Sequence, residues 1–523
     1  MGDTRAAASP SAAGAGIAFP PGADGQPSSR EAGTRILAAA LAPLDAAHAE
    51  AALREPRWRH AYPAHFRRLV EGGLADGERA LASARAGLNA AWQQLVWQSQ
   101  EGPLTLQQAL DPATAPGRGP AVPPLHTGTL QGLGDPRPAE WAVPLRGELL
   151  RGDALAHQID DWQARGIIEP SAAAALHRCR THPEWFDLSD RTLVLLGAGS
   201  EAGPLRWLAR WRARIAAVDI PDAAVWQRIA GTVRAGNATA FVPLQSPTTM
   251  DGDAWAAQAG IDLLADAPRA AAWVTGQPGP WDVAALGYLD GERHVRLSLA
   301  MDMVQAAACR ADARTTLAWM ATPTDVFAVP EATAERAMSA FAARPAMRRA
   351  LQMPVRLASG DRLFHPNVES LHTSAGGQRY GVVDSLVVEQ GPNYALAKRL
   401  QQWRALAARA EGHRCCLNVA PSTTTASVLK NPAFAAGFAG ADAFGVEAFE
   451  PATTNALMAA LWVHDLRCDE SAAHPARPLS HPFELFMDNA CHGGLWPLAY
   501  RPRSVLPMAA VLGFVLGKGR RTG

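Results

Sequence analysis

This chain lacks a long uninterrupted apolar run, an excess of either charge and any paired cysteine motif, and each absence removes a class of function. Its most apolar stretch, VLPMAAVLGFVLG near the C-terminus, has only 13 residues and contains Pro507 and Gly513. A bilayer span needs about 20 residues, so a buried or partner-facing segment is expected there instead. Lys+Arg and Asp+Glu both total 49. That balance leaves no long-range field for phosphates or anionic membranes, and nucleic acid is not an expected partner. Cys179, Cys309, Cys415, Cys416, Cys468 and Cys491 form no CxxC and no metal-ligand spacing. They read as reduced thiols, which favours the cytoplasm and offers no metal site. The opening MGDTRAAASPSAAGAGIAFPPGADGQPSSREAG has no apolar h-region, and Ala6 breaks the myristoylation pattern, so residues 1–33 read as a disordered tail.

What is present is ample material for a core. At 523 residues with 48% hydrophobic and 19% charged, the chain should form two structured regions. Residues 34–189 are Ala/Leu/Arg-rich with apolar positions at helical spacing, as in RILAAALAPLDAAHAEAAL, and predict a helical N-terminal region. Within it, the prolines and glycines of 101–140 suggest a loop-rich connection. From Asp190 short apolar runs alternate with helical patterns, which predicts a doubly wound, mostly parallel α/β sheet. The candidate strands are 191–197, 213–219, 239–244, 282–289, 315–321, 380–388 and 414–420, and 322–379 reads as an insertion, a lid or substrate element.

The first strand runs into Gly197-Ala198-Gly199-Ser200-Glu201-Ala202-Gly203, a helix is expected next, and the second strand ends at Asp219. Glycine lets the backbone turn sharply out of a strand and lets a diphosphate approach amide N–H groups at a helix start. Asp219 lies 22 residues after Gly197, close to the offset of about 20 at which an acid meets the adenosine ribose. A carboxylate there favours NAD over NADP, because it repels a 2′-phosphate. Two other readings stand beside this one: a tight βα turn without a ligand, and an S-adenosylmethionine site, which also uses a glycine-rich first turn and an acid ending strand two.

Tyr394 and Lys398 are four apart in GPNYALAKRL, on one face of a predicted helix. An ammonium near a phenol favours the phenolate and makes proton exchange with an alcohol or carbonyl feasible near neutrality. The helix leads into RCCLNVAPSTTT, a strand followed by a threonine-rich loop. Together these segments resemble the short-chain dehydrogenase/reductase family, in which a Tyr-x-x-x-Lys helix precedes a strand ending in Asn-x-x-x-Pro; this chain has Asn418-Val419-Ala420-Pro421, one residue shorter. The resemblance covers roughly 190–500. It implies an NAD(P)-binding Rossmann-type domain and a small-molecule alcohol or carbonyl substrate. It further implies Tyr394 as general acid/base, Lys398 on the nicotinamide ribose and lowering the tyrosine pKa, and Pro421 and Thr423 beside the nicotinamide. It also implies a homo-oligomer. Ser385, nine residues before Tyr394, is the candidate for the family's catalytic serine, with Thr322 and Thr324 as substitutes. The family's usual first-turn and Asn-Asn-Ala-Gly patterns are replaced by LGAGSEAGP and VAALGYLDG, which leaves methyl transfer and non-catalytic nucleotide binding as alternatives.

His481, Cys491 and His492 lack ligand spacing and read as loop residues, and Trp207 with Trp211 reads as core or interface packing.

Overall fold

The computed structural model of the chain describes residues 16–22, 24–111, 123–360, 362–425 and 432–519. Its principal strands are β1 (His126–Gln131), β2 (Thr192–Leu196), β3 (Arg214–Val218), β4 (Thr239–Leu244), β5 (Trp281–Ala285), β6 (Thr316–Ala321), β7 (Val326–Pro330), β8 (Leu371–Thr373), β9 (Arg379–Asp384) and β10 (Cys415–Val419). The helices that matter for the site are α1 (Ser29–Leu41), α2 (Trp58–Leu74), α3 (Gly77–Gln94), α4 (Ala223–Arg234), α5 (Glu292–Ala311), α6 (Ala346–Ala358), α7 (Gly391–Ala410), α8 (Pro432–Ala441), α9 (Pro451–Arg467) and α10 (Pro502–Gly519).

Seven strands make one sheet in the order β10-β6-β5-β2-β3-β4-β1. Six are parallel, and β1 pairs antiparallel with β4 at one edge. The parallel strands are short Leu/Val/Ala runs such as TLVLL, buried at every position in β2, β5 and β10, as strands covered by helices on both faces must be. The chain steps outward from β2 through β3 and β4, then returns to β5, β6 and β10 on the other side. The winding therefore reverses between β2 and β5, whose last residues, Leu196 and Ala285, are register partners. Crevices that take ligands open at such reversals, beyond the carboxyl ends of the strands.

Three expectations need correction. The 380–388 segment does not join the central sheet; β9 lies between β7 and β8 in a separate antiparallel sheet. Four residues, 322–325, link β6 to β7, too few for a parallel crossover, so the chain leaves the sheet plane and starts a new one. The loop-rich 101–140 stretch contains β1, whose inward Gly128 and Leu130 alternate with exposed Thr127, Thr129 and Gln131. The expected tail is ordered from residue 16: Gly16–Ala18 pairs antiparallel with Val96–Ser99, and Ser28 caps α1 by accepting a bond from Glu31 N–H at 3.2 Å. Residues 1–15 lie outside the described residues.

The helical N-terminal region shares its core with the sheet. Ile36, Leu37, Phe66 and Leu88 belong to one apolar cluster with Val194, Val283, Leu317 and Leu400 on one face, while Trp141, Leu155 and Trp162 join Leu195, Ile215 and α9 on the other. Helices α1, α2 and α3 pack on α7, and the contact is tight: a Cβ at Gly87 would lie 2.6 Å from the Trp403 ring. Among the described residues, no helix is long and apolar enough to cross a membrane.

Candidate functional site

A cavity of about 710 Å³ opens at the carboxyl ends of β2, β3, β5, β6 and β10, where the winding reverses. Gly197, Gly199, Ser200, Glu201, Asp219, Tyr394, Lys398, Pro421 and Thr423 all border it, so two sequence features nearly 200 residues apart meet at one site. Gly203 and Ser385 do not border it.

The glycine turn is shaped by its neighbours. Gly197 has φ of 95°, and a Cβ there would lie 2.7 Å from the backbone of Gly287 in the loop after β5. Gly199 N–H donates to Asp219 Oδ2 at 2.7 Å, and Ile220 N–H donates to Oδ1 at 2.8 Å. Burial raises the Asp219 carboxyl above its usual range, and these two amide bonds oppose the rise. Arg228 on α4 also borders the cavity and faces the same carboxylate.

The helix expected after the turn is a single turn, Leu205–Leu208. Its extension is blocked because the Ala209 carbonyl accepts N–H bonds from Asn237 at 2.7 Å and Ala238 at 3.0 Å, in the segment entering β4. So short a helix provides little dipole for a diphosphate. The residues that fit a dinucleotide are therefore Asp219 at a ribose, the 199–202 loop with Arg228 and Arg293 near phosphate, and the α7 and β10 groups at the far end. Glycine at 199 has its Cβ position 3.2 Å from Asp219, so no side chain can occupy the space between loop and carboxylate.

Tyr394 and Lys398 lie on the first two turns of α7, half-buried, each facing the cavity. Pro392 and the left-handed Gly391 start that helix, and behind it Arg399 and Gln402 hold the fully buried Asp325 at 2.8 Å each, pinning α7 to the loop after β6. The hydroxyls of Thr322 and Thr324 are 2.9 Å apart, beside the Tyr394 phenol. Lys398 Nζ has only distant partners, the Met320 carbonyl at 3.5 Å and Gln401 Oε1 at 3.4 Å.

The expected lowering of the tyrosine pKa by the lysine is not what the geometry produces. Burial pushes the Tyr394 phenol up to about 12, with the two threonine hydroxyls opposing. Burial also pushes the Lys398 ammonium down to about 8. Desolvation outweighs charge attraction for both groups in this environment.

Sequence reasoning missed His294, in the first turn of α5. Its ring stacks on Tyr394 with centroids 5.6 Å apart, Nδ1 accepts from Leu289 N–H at 3.4 Å, and the buried Nε2 has no hydrogen-bond partner. Burial, and then Lys398, hold it well below the usual histidine range, so it is neutral. The only signal in the sequence was its place in the helix that follows the fourth parallel strand.

Ser385 is fully buried, its N–H bonded to the Asp325 carbonyl at 3.1 Å and its Oγ without a partner. It leaves the strand of the small sheet on the far side of the 322–325 link, which is why Thr322 and Thr324, and not Ser385, reach the phenol. Asn418 serves structure, donating to Asp465 at 2.8 Å inside the core. Thr423 Oγ1 lies 2.7 Å from Thr454 Oγ1, which fixes the loop after β10 against α9. His481 bonds the Gly73 carbonyl at 3.1 Å and His492 bonds Glu169 at 3.0 Å, both buried. Trp207 and Trp211 are buried with centroids 5.6 Å apart.

No protein-family model matches the chain, and no curated protein sequence matches it.

Proposed function

We propose that this protein is an NAD(H)-preferring oxidoreductase on a Rossmann-like, doubly wound fold of short-chain dehydrogenase/reductase type, acting on an alcohol or carbonyl compound. One observation carries the reading. A phenol beside two threonine hydroxyls, with an ammonium one helical turn away, borders the same cavity as a glycine turn and its strand-end carboxylate. Such a device has no use in a simple nucleotide sensor, and a methyl-transfer reading leaves Tyr394, Lys398, Thr322 and Thr324 idle.

When bound, a nicotinamide dinucleotide supplies the hydride acceptor or donor. The Asp219 carboxylate, on the cavity wall, fits a ribose diol and opposes a 2′-phosphate. Lys398, short of close partners, is the donor for hydroxyls of the second ribose. Tyr394 Oη exchanges the proton with the substrate oxygen while Thr322 and Thr324 fix the direction of its hydroxyl. In carbonyl reduction the proton leaves Tyr394 for the alkoxide oxygen; in alcohol oxidation it returns. A phenol held at about 12 is protonated at neutral pH, so Tyr394 stands as the proton donor for carbonyl reduction. Leu263, Leu297, Phe438, Leu498 and Val505 make the remaining wall apolar, which suits a substrate with a hydrocarbon body.

The test is Tyr394→Phe in a panel of ketones and alcohols followed by NADH absorbance. A rate loss of about 10³-fold with cofactor binding retained is expected. Undiminished turnover by the phenylalanine variant would remove Tyr394 from the mechanism.

A further inference from the structure

Helix α6 is built inside out. Met347, Ala350, Leu351, Met353, Pro354, Val355, Leu357 and Ala358 fall on one arc of about 200° at roughly 100° per residue, and Arg348, Arg349, Gln352 and Arg356 fill the other. In a water-soluble protein the apolar arc should face the body. Here no residue of α6 is buried, and Met347, Leu351 and Leu357 are 76, 68 and 73% exposed. The helix touches the body through its polar side, where Gln352 donates to Tyr500 Oη at 2.8 Å and the Arg344 guanidinium, two residues before the helix, lies 3.3 Å over the Phe341 ring, while Arg348 and Arg349 are exposed.

Tyr500 is two residues before α10, and with Phe364 and Val505 it forms the small apolar cluster from which both helices depart. Helix α10 repeats the pattern. Its inner side packs on α8 through Gly440 and Gly513, where no Cβ could fit, while Met508, Val511, Leu512 and Phe514 point outward, Phe514 being 54% exposed. Exposed apolar surface of this kind marks an interaction site.

Charge identifies the occupant. The chain as a whole is neutral, yet 344–360 contains Arg344, Arg348, Arg349 and Arg356 with no acid, and 501–523 contains Arg501, Arg503, Lys518, Arg520 and Arg521 with no acid. Beside the base of α10 lies a second cavity, of about 860 Å³, bordered by Arg57, His60, Arg362, Arg501 and Arg503, with Glu389 the single carboxylate on its wall. Arg501 pairs with Glu369 and Arg503 with Asp384, so Arg57 and Arg362 are the exposed guanidiniums left to face an anion there. Apolar side chains presented among cations, next to a cation-lined recess, fit an anionic lipid surface with a headgroup phosphate in the recess.

We propose that α6 and the outer face of α10 seat this protein on an anionic membrane surface as a peripheral protein. The residues involved are separate from those assigned to proton transfer, so the proposal and the redox reading fail independently.

The experiment is co-sedimentation of the full chain with vesicles of phosphatidylcholine alone or mixed with phosphatidylglycerol. Binding to the mixed vesicles should exceed binding to phosphatidylcholine by roughly tenfold and weaken with added salt. Two variants, Leu351→Glu with Val355→Glu, and Phe514→Glu, should each lower vesicle binding by about tenfold. Arg57→Glu with Arg362→Glu should abolish the preference for phosphatidylglycerol. All five positions are exposed, and an unchanged circular dichroism spectrum confirms that the variants fold. Equal or absent binding to both vesicle types overturns the proposal. So does a wild-type dimer in sedimentation velocity that the same substitutions dissolve, since a second copy of the chain would then cover the patch.

Discussion

Helices α6 and α7 both break the rule that apolar residues face the body and polar residues face water, and they break it in opposite directions. Helix α7 turns a phenol and an ammonium inward to a cavity; α6 turns methionine and leucines outward. Each arrangement costs stability, and neither is explained by packing. Places where local rules fail without a packing reason are where function is to be sought. The difference lies in what surrounds each violation. The inward groups of α7 lie beside Thr322 and Thr324 in a cavity that Asp219 also borders, whereas the outward groups of α6 are exposed.

That contrast can be broken by measurement. After Tyr394 itself, the largest effect expected is at Lys398. Its folded pKa of about 8 lies below the ordinary 10.5, so the folded state binds fewer protons than the unfolded chain between those values. The buried ammonium therefore destabilises the fold below pH 8, and the penalty fades as pH rises to 10.5. Lys398→Met should lower turnover by roughly a hundredfold. It should also raise stability at pH 7 by about 3 kcal/mol, a gain that disappears in urea titrations near pH 10.5. A variant that is less stable at every pH would show that Lys398 is an ordinary structural lysine.

Thr322→Val with Thr324→Val should reduce the rate by roughly thirtyfold, the worth of the two hydroxyls beside the phenol, with KM little changed. Asp219→Ser should shift the ratio of kcat/KM for NAD over NADP by about tenfold toward NADP, with Arg228 available to the 2′-phosphate. The smallest effect is at Ser385: Ser385→Ala should leave kcat/KM unaltered, and a loss comparable to that of the threonine pair would restore the serine to the mechanism.

Much of the sheet was legible in the sequence because parallel strands buried on both faces are compact Leu/Val/Ala runs: β2, β3, β4, β6 and β10 each fall within a residue of the expected segments, while β5 starts one residue before 282 and ends four before 289. The 380–388 run was equally apolar, but composition does not reveal which sheet a strand joins; the four-residue link before β7 does. β1 was hidden among prolines and glycines because an edge strand needs only one buried face. The glycine turn, Asp219, Tyr394, Lys398 and Pro421, singled out by motif and spacing, border one cavity. Both the choice between Ser385 and the threonines and the stacking of His294 on Tyr394 depend on three-dimensional neighbours. The net neutrality of the chain also concealed two local stretches with cations alone, so an average over 523 residues argued against a surface that the fold assembles.

The most direct test of the central claim is calorimetric titration of the purified protein with NAD⁺ and, separately, with S-adenosylmethionine. One-to-one binding of NAD⁺, weakened by Asp219→Lys and not matched by S-adenosylmethionine, is the predicted result. Binding of S-adenosylmethionine with no heat from NAD⁺, or no heat from either, would contradict it.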